Sequence, residues 1–324
     1  MIRPPKAAQP EPADSNRDGV DSAAQRQLAS WGWSSNPAKH HARGELRKIN
    51  PYPTNWFYAL MAPPVRRVFG ALFDVDFKGG DQLPKSGPVI VTANHVSSLD
   101  PIVMILAIAY SGRWPRVLSR ANLFDSKLVG WLMRLTEQIP VYRGAENASD
   151  ALVAAEAALN DDAVILMYPE GTITFDELEW PMTIHSGAAR LALATGAPVI
   201  PVGQWGANFI FPPRKRRRPR LRGQRIEVRF GPAVELSDLH GRQDDRQAVH
   251  NASVRILAAI TQLTASARGE RAADDVWDRK LNRRVPISSA LLGSDDRVDA
   301  DGKLREAKLW LVDSGSGPAH QEEA

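Results

Sequence analysis

Cysteine is absent from all 324 residues, which excludes disulfides, thiolate metal sites and a cysteine nucleophile, and suits a reducing compartment. No run is apolar and unbroken for long enough to cross a bilayer. The longest uncharged stretch, Leu191 to Pro213, is interrupted by Gly196, Pro198, Pro201, Gly203 and Gly206, whereas a spanning helix needs about 20 continuous residues. The opening residues Met1-Ile2-Arg3-Pro4-Pro5 lack the apolar core of a secretory signal. Also missing are H-E-x-x-H or similar metal-ligand spacing, the G-x-S-x-G of serine hydrolases and a G-x-x-x-x-G-K phosphate loop. No metal and no cofactor is therefore expected.

What is present has an ordinary globular balance, 43% hydrophobic and 24% charged. The formal net charge of +4 is unevenly placed. Arg214 to Arg222 carries seven of the 41 basic residues and no acid, and without it 34 basic residues face 37 acidic ones. Such a run fits an anionic membrane surface, at about 1 kcal/mol per basic residue near the leaflet, a targeting signal, or a solvated loop. Nucleic acid is not expected, because the run holds no aromatic residue to stack on bases.

Residues 1–50 are rich in Pro, Ala, Asp, Arg and Ser and read as disordered. The tail from 269 to 324 reads as mostly disordered, with a short helix near 303–311. Between these flanks, strand-like apolar runs at 87–93, 115–119, 138–142, 163–168, 198–202 and 225–230 alternate with helical stretches. Those helices are placed at 100–110, 126–136, 149–160, 186–195 and 246–267. The alternation predicts an α/β fold with a mostly parallel central sheet flanked by helices, occupying 81–268. Residues 51–80 form a separate amphipathic segment. There Trp56 to Met61 precedes Pro63-Pro64, and a second short helix follows with Val65, Val68, Phe69, Leu72 and Phe73 on one face. Flanked by Arg66 and Arg67, it fits an element lying in the membrane interface or a stripe packed on the domain's own core.

His95 stands in Asn94-His95-Val96-Ser97-Ser98-Leu99-Asp100, just after the apolar Pro88-Val89-Ile90-Val91. The imidazole thus emerges at the carboxyl end of a buried strand, with a carboxylate nearby. A histidine whose tautomer is fixed by an acid can act as general base on a hydroxyl. By itself such a pair is usually a surface contact or a helix cap. A second strand, Val164-Ile165-Leu166-Met167, runs into Tyr168-Pro169-Glu170-Gly171-Thr172. Ligands of such sheets bind outside the carboxyl ends of the strands. His95, Arg120, Arg143 and Glu170 each follow one of the first four core strands, where one crevice collects them.

Together the two blocks resemble the 1-acyl-sn-glycerol-3-phosphate acyltransferase family, marked by N-H-x-x-x-x-D and later [FY]-P-E-G-T, over roughly Pro84 to Pro232. The resemblance implies that His95 is the catalytic base and Asp100 orients it. It makes Glu170, Gly171 and Thr172 an acceptor-binding turn, whose glycine lets a ligand approach the backbone and whose carboxylate meets glycerol hydroxyls. Arg120 and Arg143 fall where the family carries basic residues, and a guanidinium recognises phosphate as a bidentate fork. Two positions depart from the family. Ile173 stands where an arginine commonly contacts phosphate, and His185 replaces a common lysine in the block leading to Ala197-Pro198-Val199; His185 is read as a binding-shell residue, not a catalytic one.

The implied activity moves an acyl group from acyl-CoA or acyl carrier protein to the free hydroxyl of a lysophospholipid, most simply 1-acyl-sn-glycerol 3-phosphate, giving phosphatidic acid. The implied setting is peripheral, on the cytoplasmic face of the cell membrane. Two alternatives stand beside it: acylation of a different lipid acceptor, favoured by Ile173 and His185, and a non-catalytic lipid-binding protein on the same fold, disfavoured by the presence of both His95 and Glu170.

Overall fold

A computed structural model describes residues 56–141, 148–213, 218–220 and 223–286. The expectations for residues 1–50, for Arg143, for most of the basic run and for a helix at 303–311 lie outside those residues.

Strands β1 (Phe73–Lys78), β2 (Val89–Ala93), β3 (Pro115–Arg120), β4 (Ile139–Val141), β5 (Val164–Met167), β6 (Val199–Trp205) and β7 (Gln224–Phe230) form one sheet in the order β1-β7-β6-β2-β5-β3-β4. Every neighbouring pair is parallel except β6 with β7. The six strands anticipated between 87 and 230 are all present, and so is the mostly parallel α/β architecture. Every residue of β2 and of β5 is buried, because parallel strands are covered on both faces and so read as unbroken apolar runs.

Alternate side chains of these strands feed two cores. Ile90, Ile165, Met167 and Val199 pack with helices α4 (Ala148–Asn160), α5 (Gly187–Thr195) and α7 (Arg246–Arg268). Val89, Val91, Val164, Leu166, Ile200 and Val202 instead meet Val103, Met104 and Ala107 of α2 (Asp100–Tyr110). Helix α7 starts at Asp245, whose side chain accepts from the amides of Gln247 and Ala248, and ends at Gly269 in the left-handed region. It lies so close to β6 that a Cβ on Gly203 would meet the Leu263 carbonyl carbon at 2.1 Å. The sheet is completed by α3 (Lys127–Leu135) beyond β3 and a short α6 (Ala207–Ile210) after β6.

Three features depart from the sequence pattern. The first is α1 (Trp56–Leu72), a single helix that runs through Pro63 and Pro64 where two segments were expected. Two lost amide donors are outweighed by packing, since Ala62, Val65 and Phe69 meet Leu106, Tyr110 and Trp114. Secondly, Phe73 does not continue the helical stripe but opens β1, which pairs with β7. The stripe therefore divides: Val65, Phe69 and Phe73 turn inward, while Val68 and Leu72 stay exposed. Thirdly, the chain past Gly269 forms an antiparallel hairpin of β8 (Asp275–Asp278) and β9 (Arg283–Pro286), seated by Val276 and Val285 against Leu257.

Candidate active site

The carboxyl ends of the adjacent strands β2, β5 and β3 bring three of the predicted clusters together. After β2, Asn94 ties its strand end to β6 reciprocally. Its side chain donates to the Gln204 carbonyl at 3.0 Å and accepts from the Gln204 amide at 2.8 Å. The next residue is His95, whose side chain is 15% exposed and whose Nδ1 lies 2.8 Å from Asp100 Oδ2. Asp100 is the first residue of α2 and fully buried. The same Oδ2 accepts the amides of Val96 at 2.6 Å and Ser97 at 2.8 Å. Burial pushes this carboxyl above its usual range, while the His95 ring and the Ser97 and Val96 amides oppose the rise. With Nδ1–H donated to the carboxylate, Nε2 is the basic nitrogen, and it makes no hydrogen bond among the described residues.

Tyr168, the residue following β5, stacks on the His95 ring with centroids 4.3 Å apart and planes 25° apart. Tyr168 thus clamps one face of the imidazole. The Tyr168 hydroxyl is buried, which raises its pKa well above the ordinary value.

Glu170 sits differently from the expected acceptor-facing carboxylate. It is 1% exposed. Its Oε1 accepts the His95 amide at 2.9 Å and its Oε2 the Met182 amide at 3.1 Å. The Thr174 amide in turn donates to the His95 carbonyl at 2.8 Å. Both backbone groups of His95 are therefore held by the loop that follows β5, so Glu170 braces His95 from behind. Its pKa is raised to about 8, first by burial and then by repulsion from Asp100 and Asp176, against the two amide donors.

Gly171 has φ 69°, and a Cβ there would meet the His185 ring at 2.9 Å, so the turn requires glycine. Thr172 accepts a hydrogen bond from Arg120 Nη2 at 3.2 Å through its Oγ1. His185 is exposed at the entrance to α5 and anchored by its amide to the Pro169 carbonyl at 2.8 Å. Missed by sequence reasoning was Arg279, in the β8–β9 turn, which bonds the Glu170 carbonyl and His185 Nε2. Among the described residues no cluster of three His, Cys, Asp or Glu side chains could hold a metal ion.

An α/β domain with a His–Asp pair at one strand end, braced by a glutamate loop from the next, defines a class able to take a proton from a hydroxyl. Among known proteins, residues 74–205 match the family described as Acyltransferase. The chain is 29% identical over 142 residues to a chloroplast 1-acyl-sn-glycerol-3-phosphate acyltransferase of Brassica napus, covering 43% of this chain and 40% of that one. A 1-acyl-sn-glycerol-3-phosphate acyltransferase of Streptococcus pneumoniae is 22% identical over 61% of this chain and 70% of its own length. The alpha form from Bos taurus is 25% identical over 65% and 70% respectively. The chain thus spans about two fifths of the length of the first curated relatives it matches. A solved structure, the 1-acyl-sn-glycerophosphate acyltransferase PlsC from Thermotoga maritima, aligns with a TM-score of 0.47 at 22% identity, covering 73% of this chain and 88% of that one.

Proposed function

We propose that this chain is an O-acyltransferase that moves an acyl group from acyl-CoA or acyl carrier protein to the free hydroxyl of 1-acyl-sn-glycerol 3-phosphate, forming phosphatidic acid. The observation that carries the reading is the His95 Nδ1 contact with buried Asp100 at 2.8 Å. It leaves Nε2 as the base. The acceptor hydroxyl gives its proton to Nε2 as its oxygen bonds to the thioester carbonyl carbon. Collapse of the tetrahedral intermediate breaks the C–S bond, and the leaving thiolate takes the proton from Nε2. Asp100 stabilises the transient imidazolium, Tyr168 holds the ring, and Glu170 holds the backbone from which the ring projects. Gly171 and Thr172 line the acceptor side, with Arg120 and Arg143 as its phosphate-reading groups.

On this reading the acyltransferase domain expected at 81–268 also takes in β1 and the β8–β9 hairpin, and the outward face of α1 is the interfacial element of a peripheral enzyme on the cytoplasmic face of the cell membrane. Support comes from an exposed apolar surface. Leu60 and Met61 of α1 and Leu128, Val129 and Trp131 of α3 all face solvent, Leu128 at 74% and Trp131 at 51%. Phe57 meets Trp131 edge-on at 6.0 Å, joining the two helices. Among the described residues no helix is long and apolar enough to cross a membrane. Exposed apolar side chains beside Arg67 and Lys127 fit the head-group region. The test is incubation with one labelled acyl-CoA and mixed lysolipid acceptors, followed by mass spectrometry. Labelled phosphatidic acid is expected, and its absence beside another labelled lipid would move the assignment to that acceptor.

A further inference from the structure

Ile173 removes the arginine that the family commonly places after Glu-Gly-Thr, yet a guanidinium reaches the same turn from elsewhere in the chain. Arg279 Nη1 donates to the Glu170 carbonyl at 3.2 Å and to His185 Nε2 at 3.1 Å. A guanidinium has no acceptor, so His185 Nε2 must accept and that ring is neutral in this contact. The Arg279 guanidinium also lies over the Phe175 ring at 5.6 Å. Among the described residues no carboxylate pairs with it, and its Nε and Nη2 make no hydrogen bond. The residue is exposed. One edge of the fork is thus fixed on the acceptor turn and the rest is uncommitted.

The support beneath Arg279 is firm. The Thr183 amide donates to the Trp277 carbonyl at 3.0 Å, and Met182 bridges to Trp277 in parallel. Buried Asp278 accepts the amides of Lys280 at 2.8 Å and Leu281 at 3.2 Å, closing the turn that carries Arg279. Arg284 joins Asp176 to Asp275, fastening β9 to the loop after the Glu-Gly-Thr turn. Met182 is also the residue whose amide Glu170 holds. The hairpin is therefore docked on the segment that shapes the acceptor side, and Arg120 reaches Thr172 of the same turn from β3.

We propose that Arg279, which lies outside the segment matched by the family, contacts the acceptor phosphate in place of the arginine that Ile173 displaces. The inference rests on the acyltransferase reading above. A guanidinium held by one nitrogen on rigid backbone, with two more donor positions open, is pre-organised for a bidentate phosphate contact. The hairpin is then part of the specificity machinery of the site.

The test uses the full chain as wild type, Arg279→Ala and Arg279→Lys, with acyl-CoA as donor. The acceptors are 1-acylglycerol 3-phosphate and the matching monoacylglycerol. For Arg279→Ala the ratio of kcat/KM for the phosphate acceptor over the phosphate-free one should fall by about tenfold to a hundredfold, the range of a lost hydrogen bond to a charged group. The loss should lie in the acceptor KM, with the acyl-CoA KM unmoved. Arg279→Lys should restore part of the ratio, because it keeps the charge and loses the fork. An unchanged ratio, or an equal loss on both acceptors, overturns the role of Arg279 and leaves the acyltransferase reading standing. A wild type that acylates neither acceptor overturns that reading itself.

Discussion

Replacing Glu170 by Gln should reduce stability at low pH, raise it at high pH, and slow turnover throughout. The carboxyl titrates at about 8 in the folded chain against 4.5 ordinarily. The folded state therefore binds the proton to higher pH than the unfolded state does. Wild-type stability must fall as pH rises through that window, by up to about 1.4 kcal/mol per unit, or on the order of 4 kcal/mol from pH 5 to pH 8. Glutamine does not titrate, so this slope disappears. It also has only one carbonyl oxygen for two amides, His95 and Met182. Leaving one buried donor facing an NH2 group costs about 1–3 kcal/mol at every pH. The two stability curves should consequently cross between pH 5 and pH 8. Since the His95 backbone loses part of its anchorage, kcat should drop by about tenfold to a hundredfold, in line with the sensitivity of general-base geometry to small displacements. Urea unfolding of both proteins across this range, paired with turnover on detergent-dispersed substrate, measures both effects. Parallel stability curves would refute the burial argument, and unchanged turnover would refute the bracing role.

Two further outcomes follow from the charged groups of the acceptor and membrane sides. Arg143→Ala should raise the KM for a phosphate-bearing acceptor far more than that for acyl-CoA, and an equal effect on both would remove Arg143 from head-group recognition. Substituting Arg216, Arg217 and Arg218 by Ser should weaken co-sedimentation with anionic vesicles and flatten its salt dependence, because exposed charges are screened over about 8–10 Å at physiological ionic strength. Turnover in detergent should survive that triple change. Binding that ignores both lipid charge and the substitutions would leave the apolar surface of α1 and α3 as the anchor.

The buried centre of the sheet was legible because β2 and β5, covered on both faces, appear as apolar runs that need no long-range information. Their carboxyl ends, with that of β3 beside them, then placed His95, Arg120 and Glu170 in one region. Strand β1 was harder to see. Asp74, Asp76 and Lys78 alternate with Val75 and Phe77 at the sheet edge, and Phe73 also completes a helical spacing with Val65 and Phe69. The β8–β9 hairpin offers one buried valine per strand, too little for a pattern. Glu170 illustrates a different limit. Its partners are backbone amides 75 and 12 residues away, and any residue type could supply those. The stacking of Tyr168 on His95 and the reach of Arg279 to Glu170 likewise depend on how distant loops meet, which composition and spacing do not encode.

In the proposed reaction His95 Nε2, oriented by Asp100 through Nδ1, takes the acceptor proton. The most direct test of that step is the turnover of purified His95→Ala and Asp100→Asn beside wild type, each checked for an intact fold by circular dichroism. His95→Ala should lower kcat by about 10²–10⁴-fold, the usual contribution of a general base. Asp100→Asn should also be impaired, since a neutral amide oxygen in the place of Oδ2 cannot stabilise the imidazolium as the carboxylate does. Near-normal turnover by folded His95→Ala would contradict the account.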